Sequence, residues 1–149
     1  LAVQKRLAEF RNLFKTPKYV FMLLGTAVLL GINWFFYIYG VNTNQIVETS
    51  LGYFINPLFN VLLGVIFLKE RLNFWQVLAL VMATLGVLNF LRGFDSLPWI
   101  ALTLACTFSC YGLLRKMIPV KPLVGLLVET LLFSPFALIM IVVWNFNIF

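Results

Sequence analysis

The chain has 149 residues, of which 62% are hydrophobic, 17% aromatic and only 11% charged, and its formal net charge is +6. Soluble domains carry about 25% charged residues and cannot hide so much apolar surface, which excludes a soluble enzyme, and the aromatic content excludes a disordered chain. This composition is typical of a polytopic membrane protein.

The positive charge is distributed in a way that argues against a nucleic-acid partner. Five of the 11 Lys and Arg residues lie within the first 18 residues, and the other six lie in short gaps between apolar runs. A nucleic-acid binder needs a continuous basic surface that follows the phosphates, and no stretch here is long enough to form one. Basic anchors at one face of a bilayer are the better interpretation, so the expected partner is lipid.

Five apolar runs are long enough, or nearly long enough, to cross a bilayer. A hydrocarbon core of roughly 30 Å requires about 20 apolar residues in helical form, and lipid offers no partner to an open backbone. The links are short, so consecutive helices must run antiparallel. The sequence predicts an all-α transmembrane helical bundle over residues 19–149, with spans at Tyr19–Tyr39, Thr49–Leu68, Phe74–Leu91, Leu97–Leu114 and Leu123–Trp144.

Basic residues also predict the orientation of these spans. Alternation of five spans places ten of the 11 basic residues on the side of the N-terminus and leaves Arg92 alone on the other side. By the positive-inside rule, residues 1–18 form a cytoplasmic basic segment and the C-terminus lies outside. Because the chain starts with Leu1 and these 18 residues lack the apolar core of a signal peptide, we expect an internal piece of a longer polypeptide.

Polar and aromatic residues lie near the outer ends of the first two spans. Asn33 and Trp34, with Tyr37 one turn further on, form a patch that could stack on a flat ligand, although such aromatic residues more often belong to the interfacial belt. Glu48 precedes the second span. We interpret it as a cap of that helix's own N-terminus, where negative charge is favourable, with guarding of an entrance as the alternative.

The second span carries polar or small residues along one helical stripe: Thr49, Tyr53, Asn56, Asn60 and Gly64. Pro57 lies inside the same span and cannot donate to the carbonyl group of Tyr53, so we expect a local break that exposes a backbone acceptor beside two amides. Polar side chains at this depth are costly and tend to face a cavity or another helix. The stripe either lines a polar passage or holds helices together, and the pattern alone favours neither.

The two cysteines, Cys106 and Cys110, lie four residues apart in the fourth span. Two thiols are too few for a metal site and the chain contains no His, so we expect neither a metal nor a cofactor. A disulfide along one helical face is geometrically unfavourable. With Ala101, Ala105 and Ser109 nearby, both cysteines are interpreted as small residues that allow close helix packing. No nucleophile triad, phosphate loop or carboxylate pair occurs in the sequence, so we do not expect an enzyme.

Glu129 is the one acidic residue well inside an apolar run, roughly 9 Å beyond Leu123. A carboxyl group at this depth is protonated, paired with a cation, or exposed to a wet cavity. The hypotheses are a cavity role in binding a cationic group, proton coupling, and a structural pair with Arg115 or Lys116. A cavity or structural role is favoured over proton coupling. Pro135, in the same span, predicts a second bend.

The stretch Ser50–Gly86, SLGYFINPLFNVLLGVIFLKERLNFWQVLALVMATLG, resembles the fourth and fifth helices of RarD-type permeases, a subgroup of the EamA family in the drug/metabolite transporter superfamily. The family pattern is a Pro within a helix, a Gly one or two turns later, an acidic residue at the helix end, and a second helix that contains Gly. Pro57, Gly64, Glu70 and Gly86 match this pattern in order. The segments INWFFYIYGVN, DSLPWIALTLACTFSCYGLLRK and GLLVETLLFSP also resemble the subgroup, so the resemblance covers nearly the whole chain.

The resemblance implies a ten-helix protein made of two five-helix repeats of inverted topology, of which this chain supplies helices three to seven. It implies a secondary active permease in the bacterial inner (plasma) membrane that moves a small organic solute or drug by alternating access, with a proton or another ion available for coupling. It does not indicate an oligomeric state. The alternative from another class is a non-transporting membrane scaffold or subunit whose polar residues only pack helices.

In this family a central cavity between the repeats holds the solute, and the third and fourth helices contribute to it. The resemblance therefore strengthens the assignments in the first two spans here. The candidate solute-binding residues are Asn33, Trp34, Tyr53, Asn56, Asn60 and Glu129. Glu70 is expected to cap a cytoplasmic loop and not to contact solute.

Overall fold

The computed structural model describes residues 17–94 and 96–147, and in the last helix it describes only the backbone at residues 136, 137, 140, 141 and 143–147. The predicted cytoplasmic segment 1–18 lies outside the described residues except for Pro17 and Lys18. The described residues form five helices and no strand, which confirms the predicted all-α class. The helices are α1 (Pro17–Asn42), α2 (Ile46–Leu68), α3 (Phe74–Leu91), α4 (Trp99–Met117) and α5 (Pro122–Asn147).

Each helix overlaps one predicted span. α3 has the predicted bounds, whereas α1, α2 and α5 extend beyond theirs and α4 is shifted by two to three residues towards the C-terminus. The extra residues include polar ones such as Asn42 and Glu48, and helical hydrogen bonding continues through them.

Three of the described helices, α1, α2 and α3, are long and apolar enough to cross a membrane. In α5 the apolar segment Pro122–Pro135 is shorter. The last turn of α4 contains Arg115 and Lys116, and these two charged residues lower the mean hydropathy of the helix. Membrane spanning by α4 and α5 stays a prediction.

The internal prolines do not interrupt their helices. α2 continues as a helix on both sides of Pro57, and α5 continues on both sides of Pro135. α2 is therefore unbroken at Pro57, contrary to the expected break, but Pro57 has no N–H to donate to the carbonyl oxygen of Tyr53, and the bend expected at Pro135 stays a prediction. Proline removes one backbone donor from the helix, but it leaves the hydrogen bonds of the neighbouring turns in place.

The chain divides into two compact units. The first unit comprises Leu1–Val28 and Leu114–Phe149, and the second unit comprises Leu29–Leu113. The core of the first unit joins the start of α1 to the end of α4 and the start of α5; its buried residues are Leu23, Ile118, Val124 and Val128.

The core of the second unit forms where α2 packs on α4. Leu51 and Ile55 of α2 contact Ala101 and Ala105 of α4, which are completely buried. Gly52 makes this approach close, since a Cβ atom at residue 52 would lie 3.0 Å from Leu104 Cβ and 3.2 Å from the carbonyl oxygen of Ala101. The two helix backbones therefore approach each other at Gly52, as small residues allow in membrane bundles.

The interpretation of both cysteines as packing residues was wrong for Cys106, which is exposed, while Cys110 is half-buried. Ala101, Ala105 and Ser109 repeat every four residues and share the buried face of α4. Each cysteine follows a member of that series by one position, which turns its side chain by about 100° around the helix axis.

The interpretation of Glu48 as a cap of its own helix holds only in part: Glu48 lies in the first turn of α2, where negative charge is favourable, but it is not the N-cap residue. Gln45 is the N-cap residue of α2, and its side chain makes no capping hydrogen bond. Glu48 Oε1 instead accepts the backbone N–H of Ile100, the second residue of α4, at 2.7 Å. The first N–H groups of a helix lack intrahelical partners, so Glu48 caps α4 from α2 and joins the two helices at this end.

Candidate functional site

A small cleft in the second unit, with a volume of about 10 Å³ that holds roughly one water molecule, brings together three of the predicted solute-binding residues. Its described lining consists of Asn33 from α1; Gly52, Tyr53 and Asn56 from α2; and Leu104 and Phe108 from α4. The cleft thus has amide groups beside aromatic and aliphatic surface.

Asn33 reaches the cleft from α1 and is held by α4. Its Nδ2 group donates to the carbonyl oxygen of Leu104 at 3.0 Å and to Thr107 Oγ1 at 2.9 Å. Both amide hydrogens are therefore used. Because a carbonyl oxygen only accepts hydrogen bonds, the contact with Leu104 fixes which end of the amide is Nδ2.

Asn56 reaches the cleft from α2 and lies in a short polar network. Ser109, which is completely buried on α4, donates through Oγ to Asn56 Oδ1 at 2.8 Å. Asn60 Nδ2, one turn along α2, donates to the same oxygen at 3.2 Å. The helical stripe predicted for α2 is real at Asn56 and Asn60, and the network links α2 to α4 through Ser109.

An aromatic row continues from the cleft along α1. The rings of Tyr53 and Tyr37 lie edge to face with centroids 6.1 Å apart, and those of Tyr37 and Trp34 lie in the same way at 6.1 Å. Tyr53 and Trp34 are 61% and 59% exposed. Both rings therefore have free faces against which a solute, a further helix or lipid can pack.

Some cleft residues were not identified from the sequence. Phe108 supplies aromatic lining, and just outside the lining Thr107 and Ser109 form hydrogen bonds with the amides of Asn33 and Asn56. Ser109 was interpreted only as a small packing residue. Hydroxyl groups recur along α4, and that recurrence was the available signal, but the sequence does not say which helix they face.

Glu129 lies in the first unit, where it is 1% exposed. Its Oε1 accepts a hydrogen bond from Thr26 Oγ1 at 2.8 Å and lies 3.9 Å from Arg115 Nε. Arg115 also donates through Nη2 to the carbonyl oxygen of Pro122 at 2.9 Å. The structural pair between Glu129 and Arg115, one of the three hypotheses for this residue, is present. Thr26, the third member of this group, was not identified from the sequence.

The four residues of the family pattern occupy different environments. Gly64 lies against Glu70, since a Cβ atom at residue 64 would lie 2.6 Å from Glu70 Oε2. The backbone N–H of Glu70 donates to the carbonyl oxygen of Gly64 at 3.2 Å, and Lys69 between them has φ 54°. Gly64 and Glu70 thus belong to the C-terminal turn of α2. Gly86 lies in open space, with no described atom within 4 Å of the point that a Cβ atom would occupy.

Comparison with known proteins decides the family. The model of the EamA-like transporter family matches residues 5–92, which is more than half of the chain. The chain belongs to the EamA-like transporter family. No solved structure matches this EamA-like chain.

The EamA-like chain is similar to several curated proteins. It is 51% identical over 139 residues to protein RarD of Salmonella typhi, covering 93% of this chain and 47% of the relative. It is 47% identical over 139 residues to protein RarD of Escherichia coli, with the same two coverages of 93% and 47%. It is 47% identical over 130 residues to an uncharacterized transporter of Pseudomonas aeruginosa, covering 87% of this chain and 44% of the relative. The chain thus spans about half the length of the curated relatives it matches.

Proposed function

We propose that this chain is part of a secondary active transporter that moves a small organic solute across the bacterial inner membrane by alternating access. The observation that carries the proposal is the cleft, in which Asn33, Tyr53 and Asn56 come together on helices of which two, α1 and α2, are of membrane-spanning length. Amides at membrane depth are costly unless they face water, solute or another polar group. Membership of a transporter family supports the same function.

The remaining candidate residues receive separate roles in this proposal. Trp34 and Asn60 lie outside the cleft lining and are proposed to continue the solute path, Trp34 through its exposed ring and Asn60 through its hydrogen bond to Asn56. Glu129 is assigned a structural role, because it is buried against Thr26 and Arg115. Proton coupling through Glu129 is the alternative. Residues 1–18 are proposed to lie in the cytoplasm, as the basic residues predict.

A specific observation favours the second candidate, a non-transporting scaffold. Asn33 of α1 donates both amide hydrogens to acceptors on α4, and Ser109 of α4 forms a hydrogen bond with Asn56 of α2. Side-chain hydrogen bonds of this kind hold membrane helices together without any transport role. The two candidates differ in one property: water must reach Tyr53 and Asn56 in a transporter and need not reach them in a scaffold.

Thiol accessibility in membranes distinguishes the two candidates. Tyr53→Cys and Asn56→Cys are made with Cys106 and Cys110 replaced by Ala, in the protein expressed with any flanking sequence its gene encodes. If the cleft belongs to a solute path, a water-soluble thiosulfonate reacts at both positions within about tenfold of its rate at Thr43→Cys in the α1–α2 link. Leu62→Cys, on the opposite side of α2, is the matched control and reacts more than about tenfold slower. Reaction at residues 53 and 56 as slow as at residue 62 supports the scaffold and contradicts the transporter.

A further inference from the structure

We propose that the groove between α2 and α3 binds one anionic phospholipid, with an acyl chain along the groove and the phosphate at the basic link that joins the two helices. The apolar walls of this α2–α3 groove are Pro57, Leu58 and Val61 of α2 and Ala79, Leu80 and Ala83 of α3. Over the described residues it shares no lining with the solute cleft. The proposed ligand is a component of the membrane and not the transported solute.

The α2–α3 groove is apolar and about as long as one leaflet is thick. Its volume is about 310 Å³, and Gln76 is the one polar residue in its described lining. Ala83 lies about 14 Å along the axis of α3 from Phe74, the first residue of that helix, and half of a hydrocarbon core is roughly 15 Å. No residue of α3 is buried by the described part of the chain, so this wall is open to the membrane. An acyl chain that starts at the link therefore meets apolar surface over the depth of its leaflet.

The charges at the link end of the groove favour an anionic headgroup. Leu72 of the link belongs to the groove lining, and Lys69 and Arg71 beside it are exposed. Neither cation forms an ion pair with a residue that the structure describes. The carboxylate of Glu70, which lies between them in the chain, is turned towards Gly64 of α2. Basic residues at the membrane surface attract anionic lipids, so a phosphate here supplies the missing counter-charge.

Gln76 adds a hydrogen-bond donor at the same end of the groove. Its Oε1 accepts the backbone N–H of Asn73 at 2.9 Å. Because a backbone N–H can only donate, the other end of the amide is Nε2, and among the described residues nothing accepts from it. The neighbouring Phe74 and Trp75 are each 73% exposed, as is typical of aromatic residues at a membrane interface. The Gln76 amide thus lies at headgroup depth, where it can donate to a phosphate or ester oxygen.

A further membrane-spanning helix is the other apolar occupant that the groove could hold. A helix would cover the apolar walls equally well, but an uncharged one would leave Lys69 and Arg71 without a counter-charge. A phospholipid satisfies both parts of the site at once, the apolar groove through its chain and the cations through its phosphate. The charge at the link therefore favours lipid over a helix.

Quenching of a single tryptophan by brominated lipids tests this proposal. Leu80→Trp is made in protein whose native Trp residues are replaced by Phe, and the protein is reconstituted into phosphatidylcholine vesicles. Residue 80 lies about 9 Å along α3 from Phe74, level with bromine atoms placed at the middle of an acyl chain. The vesicles are titrated with brominated phosphatidylglycerol or brominated phosphatidylcholine. We expect half-maximal quenching at a mole fraction roughly fivefold lower for phosphatidylglycerol, the effect of about one basic residue.

Three variants connect this preference to the site. Val81→Trp is the matched reporter, since Val81 lies at nearly the same depth but outside the described lining, and both lipids should quench it equally. In the Leu80→Trp background, Arg71→Gln should reduce the preference to less than about twofold. Arg92→Gln removes one charge at the opposite end of α3 and should leave the preference intact. Leu58→Trp, on the α2 wall, is a second reporter if Leu80→Trp does not fold.

Each other outcome overturns the proposal. Equal quenching by both lipids at residue 80 would show that the groove is ordinary lipid-facing surface without a headgroup site. Weak quenching by both lipids at residue 80, with strong quenching at residue 81, would show that a helix fills the groove, from a second copy or from elsewhere in the polypeptide. A preference that survives Arg71→Gln would place the phosphate away from the link. The comparison of the two lipids needs no change in the cations, so it decides the matter even if Arg71→Gln fails to fold.

Discussion

Glu129→Leu is expected to lower the free energy of unfolding by about 3 kcal/mol, because it leaves Arg115 without its carboxylate partner. The side chain of Arg115 is only 15% exposed, and its Nη1 atom is buried and has no hydrogen-bond partner among the described residues. The guanidinium lies so close to Gly125 that a Cβ atom there would overlap it. The charge therefore has little room to move towards water. Unfolding of the purified protein in mixed micelles, followed by circular dichroism, measures the loss.

A double-mutant cycle attributes this loss to the ion pair. Replacing Arg115 with Met in the Glu129→Leu background removes the unpaired charge, so the double variant should be more stable than Glu129→Leu alone. Glu129→Gln is the matched control: it keeps an acceptor for Thr26 and should cost roughly 1 kcal/mol, less than Glu129→Leu. Simple additivity of the Glu129→Leu and Arg115→Met effects would show that the two side chains do not interact.

Gly52→Ala is expected to lower the free energy of unfolding by about 2 kcal/mol, because the added methyl group meets α4 at its backbone. The nearest atoms include the carbonyl oxygen and Cα of Ala101, at 3.2 and 3.4 Å from the new Cβ position. Backbone atoms cannot rotate away as the end of a flexible side chain can. The two helices must therefore separate near residue 52. The same micelle unfolding measurement applies.

Gly86→Ala provides the control for this prediction. Gly86 lies within a helix, as Gly52 does, but no described atom lies within 4 Å of its Cβ position. Its replacement should change stability by less than about 0.5 kcal/mol, or raise it slightly through the higher helix propensity of Ala. If Gly52→Ala and Gly86→Ala have the same effect, helix propensity alone accounts for both and the close contact of α2 with α4 contributes nothing.

The sequence predicted the helices well because their main determinant is local. Long apolar runs separated by short polar links require helices in lipid, and α3 has the predicted bounds of Phe74–Leu91. The ends of α1 were less predictable. Its helix continues past Tyr39 to Asn42, where Asn44 with φ 59° ends the helical path, and hydropathy does not detect that change in backbone conformation.

The candidate site was predictable only where it depends on one helix. The spacing of Asn56 and Asn60 on α2 predicted a shared face, and these two residues are hydrogen-bonded to each other. Their partner Ser109 lies on α4, and the sequence does not state which helices pack together. The same limit explains Glu48: a carboxylate near one helix N-terminus was assigned to that helix, whereas the fold brings it to the backbone of Ile100 on another.

The claim that the helices cross the membrane is tested most directly by determining on which side of the membrane each link between helices lies. Single cysteines are placed in the four links, at Thr43, Arg71, Gly93 and Pro119, in protein whose Cys106 and Cys110 are replaced by Ala. A membrane-impermeant maleimide should label residues 43 and 93 in intact cells, and residues 71 and 119 only after the membrane is permeabilised. Labelling of two successive links from the same side would show that the helix between them does not cross, and would contradict a polar cleft held within a membrane-spanning bundle.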